Sequence, residues 1–436
     1  MSKTSRLIVL CSAVLCSQYL CAQSRTMGIE EMFRLADENS KSIQAFRTGK
    51  EVADENLKAA KAQRLPDISA SLSGSYWGNG KLWNRDFSNA TKIEMPHWGN
   101  NFALEAQLAV YAGGAISSGI ELAELEKQLA EMDWQKNRQD IRFLLVGHYL
   151  NLYKLNNQIE VLHKNLELTD QIIANMQARL EQGTALQNDI TRYELQRETL
   201  RLQLAKVEDA CKIANHQLVI TLHLPEGTVV QPDTTLNDSR IQTLSEANWQ
   251  ELAAQNNLNL QQAETGIKIN RQREKLERSE RLPKISLMAA EHLDGPITIE
   301  VPVLDNNFNY WFVGVGVKYN ISSLFKNNRK LKAARLNVRK AQETYELAQE
   351  QTNHAVQESY VNFLTSFTDL RTQQKSVELA DENYSVTSNR YQNDLALLTD
   401  MLDASNIKLS ADMGLVNARI NVIFNYYKMK YITHTL

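Results

Sequence analysis

The sequence predicts a mainly α fold carrying membrane β-strands, organised as a tandem repeat of long coiled-coil helices and β-hairpins. Three observations predict it: a pattern that returns after 211 residues, two long proline-free stretches with helical periodicity, and period-two segments behind two Leu-Pro stops. The repeat comes first, because missing one misassigns a whole fold.

Tyr149-Leu150-Asn151-Leu152 returns as Tyr360-Val361-Asn362-Phe363. Likewise Arg179-Leu180, Ala185-Leu186 and Asp189 return as Arg390-Tyr391, Ala396-Leu397 and Asp400. Each copy is a very long helix, a short break and a second long helix. No proline falls between Pro96 and Pro225 or after Pro302. From Ser117 the first copy reads as helix for some sixty residues, which at about 1.5 Å per residue spans roughly 90 to 100 Å. Leu155, Ile159, Leu162, Leu166, Thr169, Ile173, Met176 and Leu180 step by fours and threes, the seam of a coiled coil. Ile190, Tyr193, Leu200, Leu204, Val207, Cys211, Ala214 and Leu218 supply the facing seam. Cys211 there is expected to be an ordinary apolar contact rather than a redox centre.

At the start of each copy one helix is expected, over 29–63 and 245–281, and Arg64-Leu65-Pro66 and Arg281-Leu282-Pro283 stop them. The residue before a proline is pushed out of the helical region. Behind each proline the chain turns to period two. Ile68, Ala70, Leu72, Gly74 and Tyr76 alternate with serines, and Phe102, Leu104, Ala106, Leu108 and Val110 alternate with Glu105 and Gln107. The second copy offers Ile285, Leu287 and Ala289, then Trp311, Val313, Val315, Val317 and Tyr319. Such strands have one apolar and one polar face. About ten residues is the length that crosses a bilayer when tilted. Trp77, Trp83, Trp98, Tyr310 and Trp311 near the strand ends suit interfacial girdles. Four strands cannot close a barrel, whose minimum is about eight, so they must be shared among subunits.

The N-terminus gives an expected compartment. Lys3 and Arg6 precede an apolar run ending at Leu20-Cys21-Ala22, the layout of a cleaved secretory signal. A lipid anchor on Cys21 is the alternative, and Tyr19-Leu20 lacks the small residue it would want. Three of the four cysteines lie in this segment, which leaves Cys211 and no intrachain disulfide. With 48 basic and 51 acidic residues, formal charge −3, no basic excess exists to hold nucleic acid.

The expected organisation is a signal peptide over 1–22, a first repeat over 23–224, a linker over 225–243 and a second repeat over 244–436. In the first repeat strands are expected at about 67–77 and 101–111 and long helices at about 115–180 and 185–222. In the second, strands are expected at about 284–293 and 309–320 and long helices at about 324–391 and 396–431. Gly183 suits the left-handed turn that ends the first long helix, and Asp394 after Asn393 stands at its equivalent.

In this order, with a Gly183-Thr184 turn and the segment Thr399-Asp400-Met401-Leu402-Asp403-Ala404, the chain resembles the TolC-type outer-membrane efflux proteins over essentially its whole mature length. The resemblance implies a homotrimer: a twelve-stranded β-barrel, four strands per chain, in outer-membrane lipid and continuous with a periplasmic α-helical barrel. It implies a Gram-negative outer-membrane location with a periplasmic extension. It also implies a role as exit duct of a tripartite efflux or type I secretion system. Its partners would be a periplasmic adaptor docking at the helical tips and an inner-membrane pump of RND or ABC type. Asp400 and Asp403 carry over as the channel constriction, three apart on one helix face. Crowded carboxylates in a narrow bore favour cations. Against this stands helix-dipole stabilisation by acids in a first turn. The first copy has Asp189 but Arg192 opposite Asp403. Gly183, Thr184, Asp394 and Tyr391 mark the tip turns. Tyr391 matches the family's latch tyrosine, whereas its latch arginine falls on Ala396.

No enzyme is expected. The eight histidines, His148 and His163 among them, form no metal-ligand spacing, and neither a phosphate loop nor a nucleophile elbow is present. Neither cofactor nor metal is therefore expected. The rival to a channel is a periplasmic coiled-coil scaffold or adaptor, which would leave the two symmetric strand pairs without a purpose.

Overall fold

The computed structural model describes residues 24–184, 186–233, 241, 243–299, 303–393 and 395–436. The expected signal segment, with Cys21, and the tip residue Asp394 lie outside the described residues. In chain order the elements are β1 (Ser24–Met27), α1 (Ile29–Asn39), α2 (Lys41–Ala62), β2 (Asp67–Tyr76), β3 (Gly80–Leu82), β4 (Thr91–Ile93), β5 (Trp98–Tyr111), α3 (Ala115–Glu181) and α4 (Gln187–Leu222). They continue with β6 (Val229–Pro232), α5 (Glu246–Asn256), α6 (Leu258–Ser279), β7 (Lys284–Gly295), β8 (Phe308–Lys318), α7 (Ser323–Lys326), α8 (Asn328–Gln392) and α9 (Leu398–Ile432). The chain divides into two compact units, one with Gly49–Glu131 and Gln262–Glu346, the other with the remainder.

The first unit holds an antiparallel sheet in the order β2-β5-β7-β8. Alternation fixes its faces. Leu72 pairs with Phe102 and Phe102 with Leu293, and further along the strands Ala106 pairs with Ala289 and Ala289 with Val313. Most apolar residues of the four strands thus share one face, and the serines of β2, Glu105, His292 and Asp294 share the other with Phe308, Phe312 and Met288. The apolar face is bare: Leu72 is 80% and Trp311 73% exposed. Tyr310 has the parity of the polar residues, so of the expected girdle aromatics it faces the polar side, while its neighbour Trp311 faces the apolar one. A loop hairpin, β3 with β4, was not expected from the sequence.

Gly113 lets β5 pass into α3. Its φ is +65°, and a Cβ there would come within 2.7 Å of the Ser279 carbonyl. Glycine alone tolerates both conditions.

The second unit is helical apart from β1 and β6, which pair in parallel. Leu145, Val146, Tyr149, Leu150 and Leu152 of α3 pack with Leu218 and Leu222 of α4 and with Met32 and Phe33 of α1 in one buried cluster. The equivalent of Leu152 in the second copy, Phe363, is buried with Val356, Trp249, Tyr426 and Met429. The predicted seam residues Leu155, Leu162, Thr169, Ile173 and Met176 are buried, as are Ile190, Tyr193, Leu200, Ala214 and Leu218 across from them. Cys211 is half-buried on that seam and donates to Asn156 Oδ1 at 3.2 Å.

Two expectations need correction. The helices expected over 29–63 and 245–281 are each broken, at Ser40 and Asn257. At the second break Asn257 Oδ1 accepts from the backbone N–H groups of Asn259, at 2.9 Å, and Leu260, at 3.2 Å, starting a new helix. Short polar side chains compete with helix continuity in this way. The expected linker carries β6, whose partner strand lies some two hundred residues earlier.

Tyr149 fastens this parallel pair. Its buried hydroxyl donates to the Met27 carbonyl at 3.1 Å and accepts from the Asp233 N–H at 2.9 Å. The Asp233 N–H also donates to the Met27 carbonyl at 3.3 Å, so replacing Tyr149 with Phe leaves the two groups that longer bond alone, and a loss of about 0.5 to 1.5 kcal/mol in chemical denaturation is expected. Asp37 gives a pH signature. Burial raises its carboxyl, yet hydrogen bonds from Arg138 and Arg142, at 2.6 to 2.8 Å, outweigh burial and hold it below 3.8. A depressed carboxylate stabilises above its unfolded value and loses that contribution as pH falls through the folded value. Asp37→Asn should therefore flatten the decline of stability below pH 3.8 in acid titrations followed by circular dichroism.

Candidate functional site

The turns between α3 and α4 and between α8 and α9 gather the candidate residues. At the first, Gly183 takes φ +77° and its N–H reaches the Leu180 carbonyl at 2.9 Å. Thr184 reaches back to the Arg179 carbonyl with its N–H at 2.9 Å and its hydroxyl at 3.1 Å. These bonds satisfy carbonyls that a helix end leaves open. The second turn repeats the bond at the same offset: Leu395 N–H reaches the Arg390 carbonyl at 2.7 Å. Here the Arg390 guanidinium also donates to the Leu395 carbonyl at 3.2 Å. A side chain thus reinforces the copy that lacks the glycine.

Behind the turns lies a buried cluster of Ile173, Met176, Ile190, Tyr193, Leu398 and Met401, with Tyr384 and Tyr391 packed against it. The Arg179 guanidinium stands 5.7 Å from the centre of the Tyr391 ring. A cation in that position is attracted by the ring's negative face. The expected latch tyrosine therefore has a cationic neighbour from the other copy of the repeat, although Ala396 offers none. Sequence reasoning noted Arg179 only as a repeat marker, since a contact between residues more than two hundred apart has no local trace. Tyr193 is buried here, and burial, with Tyr391 and Tyr384 nearby, pushes its hydroxyl well above its ordinary value.

Asp400 lies in the first turn of α9 and its Oδ2 accepts from the Leu397 N–H at 3.0 Å. It therefore caps the helix, as the helix-dipole alternative expected. Asp403, one turn on, is exposed and among the described residues makes no hydrogen bond or ion pair. Both carboxylates are open to solvent, and only one is committed to the backbone. The turns also carry three bare leucines, Leu186, Leu395 and Leu397, each about two-thirds exposed or more.

Among the described residues no group of three His, Cys, Asp or Glu side chains could bind a metal. Among them, too, no helix is long and apolar enough to cross a membrane. The site presents carboxylates and apolar side chains to solvent.

A family model described as outer membrane efflux protein matches residues 33–222 and 249–424, both copies of the repeat. The chain belongs to the outer membrane efflux protein family. Membership places it in the outer membrane of a Gram-negative envelope, among channel proteins rather than enzymes. Outer membrane efflux protein BepC of Brucella suis biovar 1 (strain 1330) is 21% identical over 164 residues, 38% of this chain. That match spans only 33% of the relative's length. Among solved structures, VceC of Vibrio cholerae matches with TM-score 0.77 at 16% identity, over 93% of this chain and 95% of that one. The CmeC outer membrane channel of Campylobacter jejuni matches with TM-score 0.78 at 15% identity, over 93% and 85%. The efflux-protein fold is thereby established over nearly the whole chain, and the scaffold alternative falls.

Gly183→Val should strain the first turn by about 1 to 2 kcal/mol, since a β-branched residue is disfavoured at φ near +77°. Limited proteolysis should cut the variant faster at residues 181–187, with the strand segments unaffected.

Proposed function

We propose that three copies of the chain assemble into an outer-membrane exit channel that passes efflux substrates to the exterior. The observation that carries this reading is the four-stranded sheet, apolar on one bare face and open at both edges, β2 and β8. An open edge in hydrocarbon leaves backbone donors and acceptors unmet, so a spanning sheet must close. With four antiparallel strands, β8 runs opposite to β2, and a head-to-tail ring of copies closes with every pair antiparallel. Three copies give twelve strands, within the observed range for such barrels.

The two repeats, 23–224 and 244–436, each contribute one strand pair and one pair of long helices to this ring. Exposed apolar residues on α4 (Leu195, Leu202, Ile213) and on α8 (Val361, Leu379, Val386) would become seams with neighbouring helices, extending the barrel into the periplasm. Asp400 and Asp403 form the constriction, with Gly183, Thr184, Asp394 and Tyr391 shaping the tip. The bare leucines of the turns offer apolar anchors for a periplasmic adaptor, and an RND or ABC pump in the inner membrane supplies the energy. Substrates cross without chemistry.

Planar-bilayer recording tests this reading. The wild-type protein is expected to conduct, and multivalent cations added from the tip side are expected to block it. Asp400→Asn with Asp403→Asn should weaken that block by about tenfold or more, roughly 1.4 kcal/mol. Conductance with unaltered block would remove Asp400 and Asp403 as the constriction.

A further inference from the structure

The polar face of the sheet is not uniformly polar, and its departure has a shape. Phe308, Tyr310 and Phe312 alternate along β8 on that face, and His292 of β7 joins them. Ring centres are 5.2 Å apart from Phe308 to Tyr310, 5.0 Å from Tyr310 to His292 and 6.2 Å from His292 to Phe312. The planes tilt by no more than 25° along this run. Beyond Phe312 the column stops at Gly314, where nothing lies within 4 Å of the place a Cβ would occupy. Met288, the cross-strand partner of Gly314, leans to Gly316 instead, its methyl 2.8 Å from where that residue's Cβ would be. The sheet surface beneath Phe312 therefore carries no side chain at Gly314, which leaves an open slot floored by backbone.

Charge surrounds the slot on one side. In the row of Phe312 the neighbours are Ala290 and then Glu105, so a small residue separates the exposed carboxylate from the ring. Two strand spacings put them roughly 10 Å apart. Further out, Asp294 accepts from Asn101 Nδ2 and, at 3.4 Å, from the Tyr310 hydroxyl. Asp67 stands in the row of Gly314 by way of Gln107 and Met288. The Lys or Arg residues of this face among the four strands, Lys284 and Lys318, are cross-strand partners two rows beyond Gly314, on the side away from Phe312 and about 13 Å along the strand.

We propose that this slot is a stacking site for planar aromatic cations inside the barrel. The ligand's ring extends the aromatic column against Phe312, and its charge lies toward Glu105. Ring faces attract cations, and offset stacking contributes about 0.5 to 1.5 kcal/mol beyond burial. Carboxylates in a confined polar lumen raise the local concentration of cations and repel planar anions. In a ring of three the duct carries three such sites, which would make its wall selective. The proposal rests on the exit-channel reading, because that reading makes the polar face the lumen.

Bilayer recording of the full-length wild-type protein with 9-aminoacridine tests it. Tetraethylammonium serves as the cation without rings and pyrene sulfonate as the planar anion. The acridine is expected to block the open channel, with neither control doing so at equal concentration. Gly314→Val, which fills the slot and keeps the aromatic column, should weaken block about tenfold, as should Phe312→Leu. Glu105→Gln should weaken it less. Detergent-extracted mass equal to wild type serves as the check that each variant is assembled. Equal block of wild type and Gly314→Val, or equal block by the planar anion, overturns the site. Block that is lost with Asp400→Asn and Asp403→Asn but kept in Gly314→Val places the ligand at the tip and also overturns it. A wild-type protein that does not conduct removes the channel reading, and this site with it.

Discussion

Backbone hydrogen bonding at the two edges of one sheet constrains everything else in this chain. Among the described residues β2 and β8 each present a row of donors and acceptors with no partner strand, on a sheet whose apolar face is bare. In water such an edge invites aggregation. In hydrocarbon each unmet group costs several kcal/mol, so the sheet can enter a bilayer only as part of a closed ring. Four strands per chain supply the even number that antiparallel closure requires, and the duplication supplies the four. Gly113 shows how tightly the strand-to-helix passage is drawn, since there is no room for a side chain between its Cα and the Ser279 carbonyl.

At the turns between the long helices the two copies solve one problem differently. The first ends its long helix with a left-handed glycine and a threonine that bonds back to Arg179. The second makes the same backbone closure and adds the Arg390 side chain to the Leu395 carbonyl. Arg179, the counterpart of Arg390, turns instead to the Tyr391 ring. Duplicated arginines thus serve one copy by bracing its turn and the other by joining the copies.

Much of this was legible in the sequence. Alternation in β2 and β8 exposed the two-faced sheet, because a half-covered strand has no other way to sort its side chains. The Leu-Pro stops and Gly183 marked turns, since their backbone limits are local. Ser40 and Asn257 escaped notice because a single polar residue inside a helical pattern carries no sign of breaking it. β1 and β6 are four residues each and exist only through a partner two hundred residues away. The candidate site was partly visible: the family resemblance singled out Asp400 and Asp403, but the capping bond of Asp400 and the approach of Arg179 to the Tyr391 ring depend on geometry. The placement of Tyr310 on the polar face was implicit in its parity with His292 yet hidden by the aromatic residue beside it.

The most direct measurement is the mass of the full-length protein extracted in detergent from outer membranes, by light scattering corrected for bound detergent. Three edges β8 meeting three edges β2 predict a trimer that needs detergent to stay in solution. A monomer or dimer, or a protein that remains soluble in plain buffer, would mean the edges are not paired between copies, and the shared barrel would be contradicted.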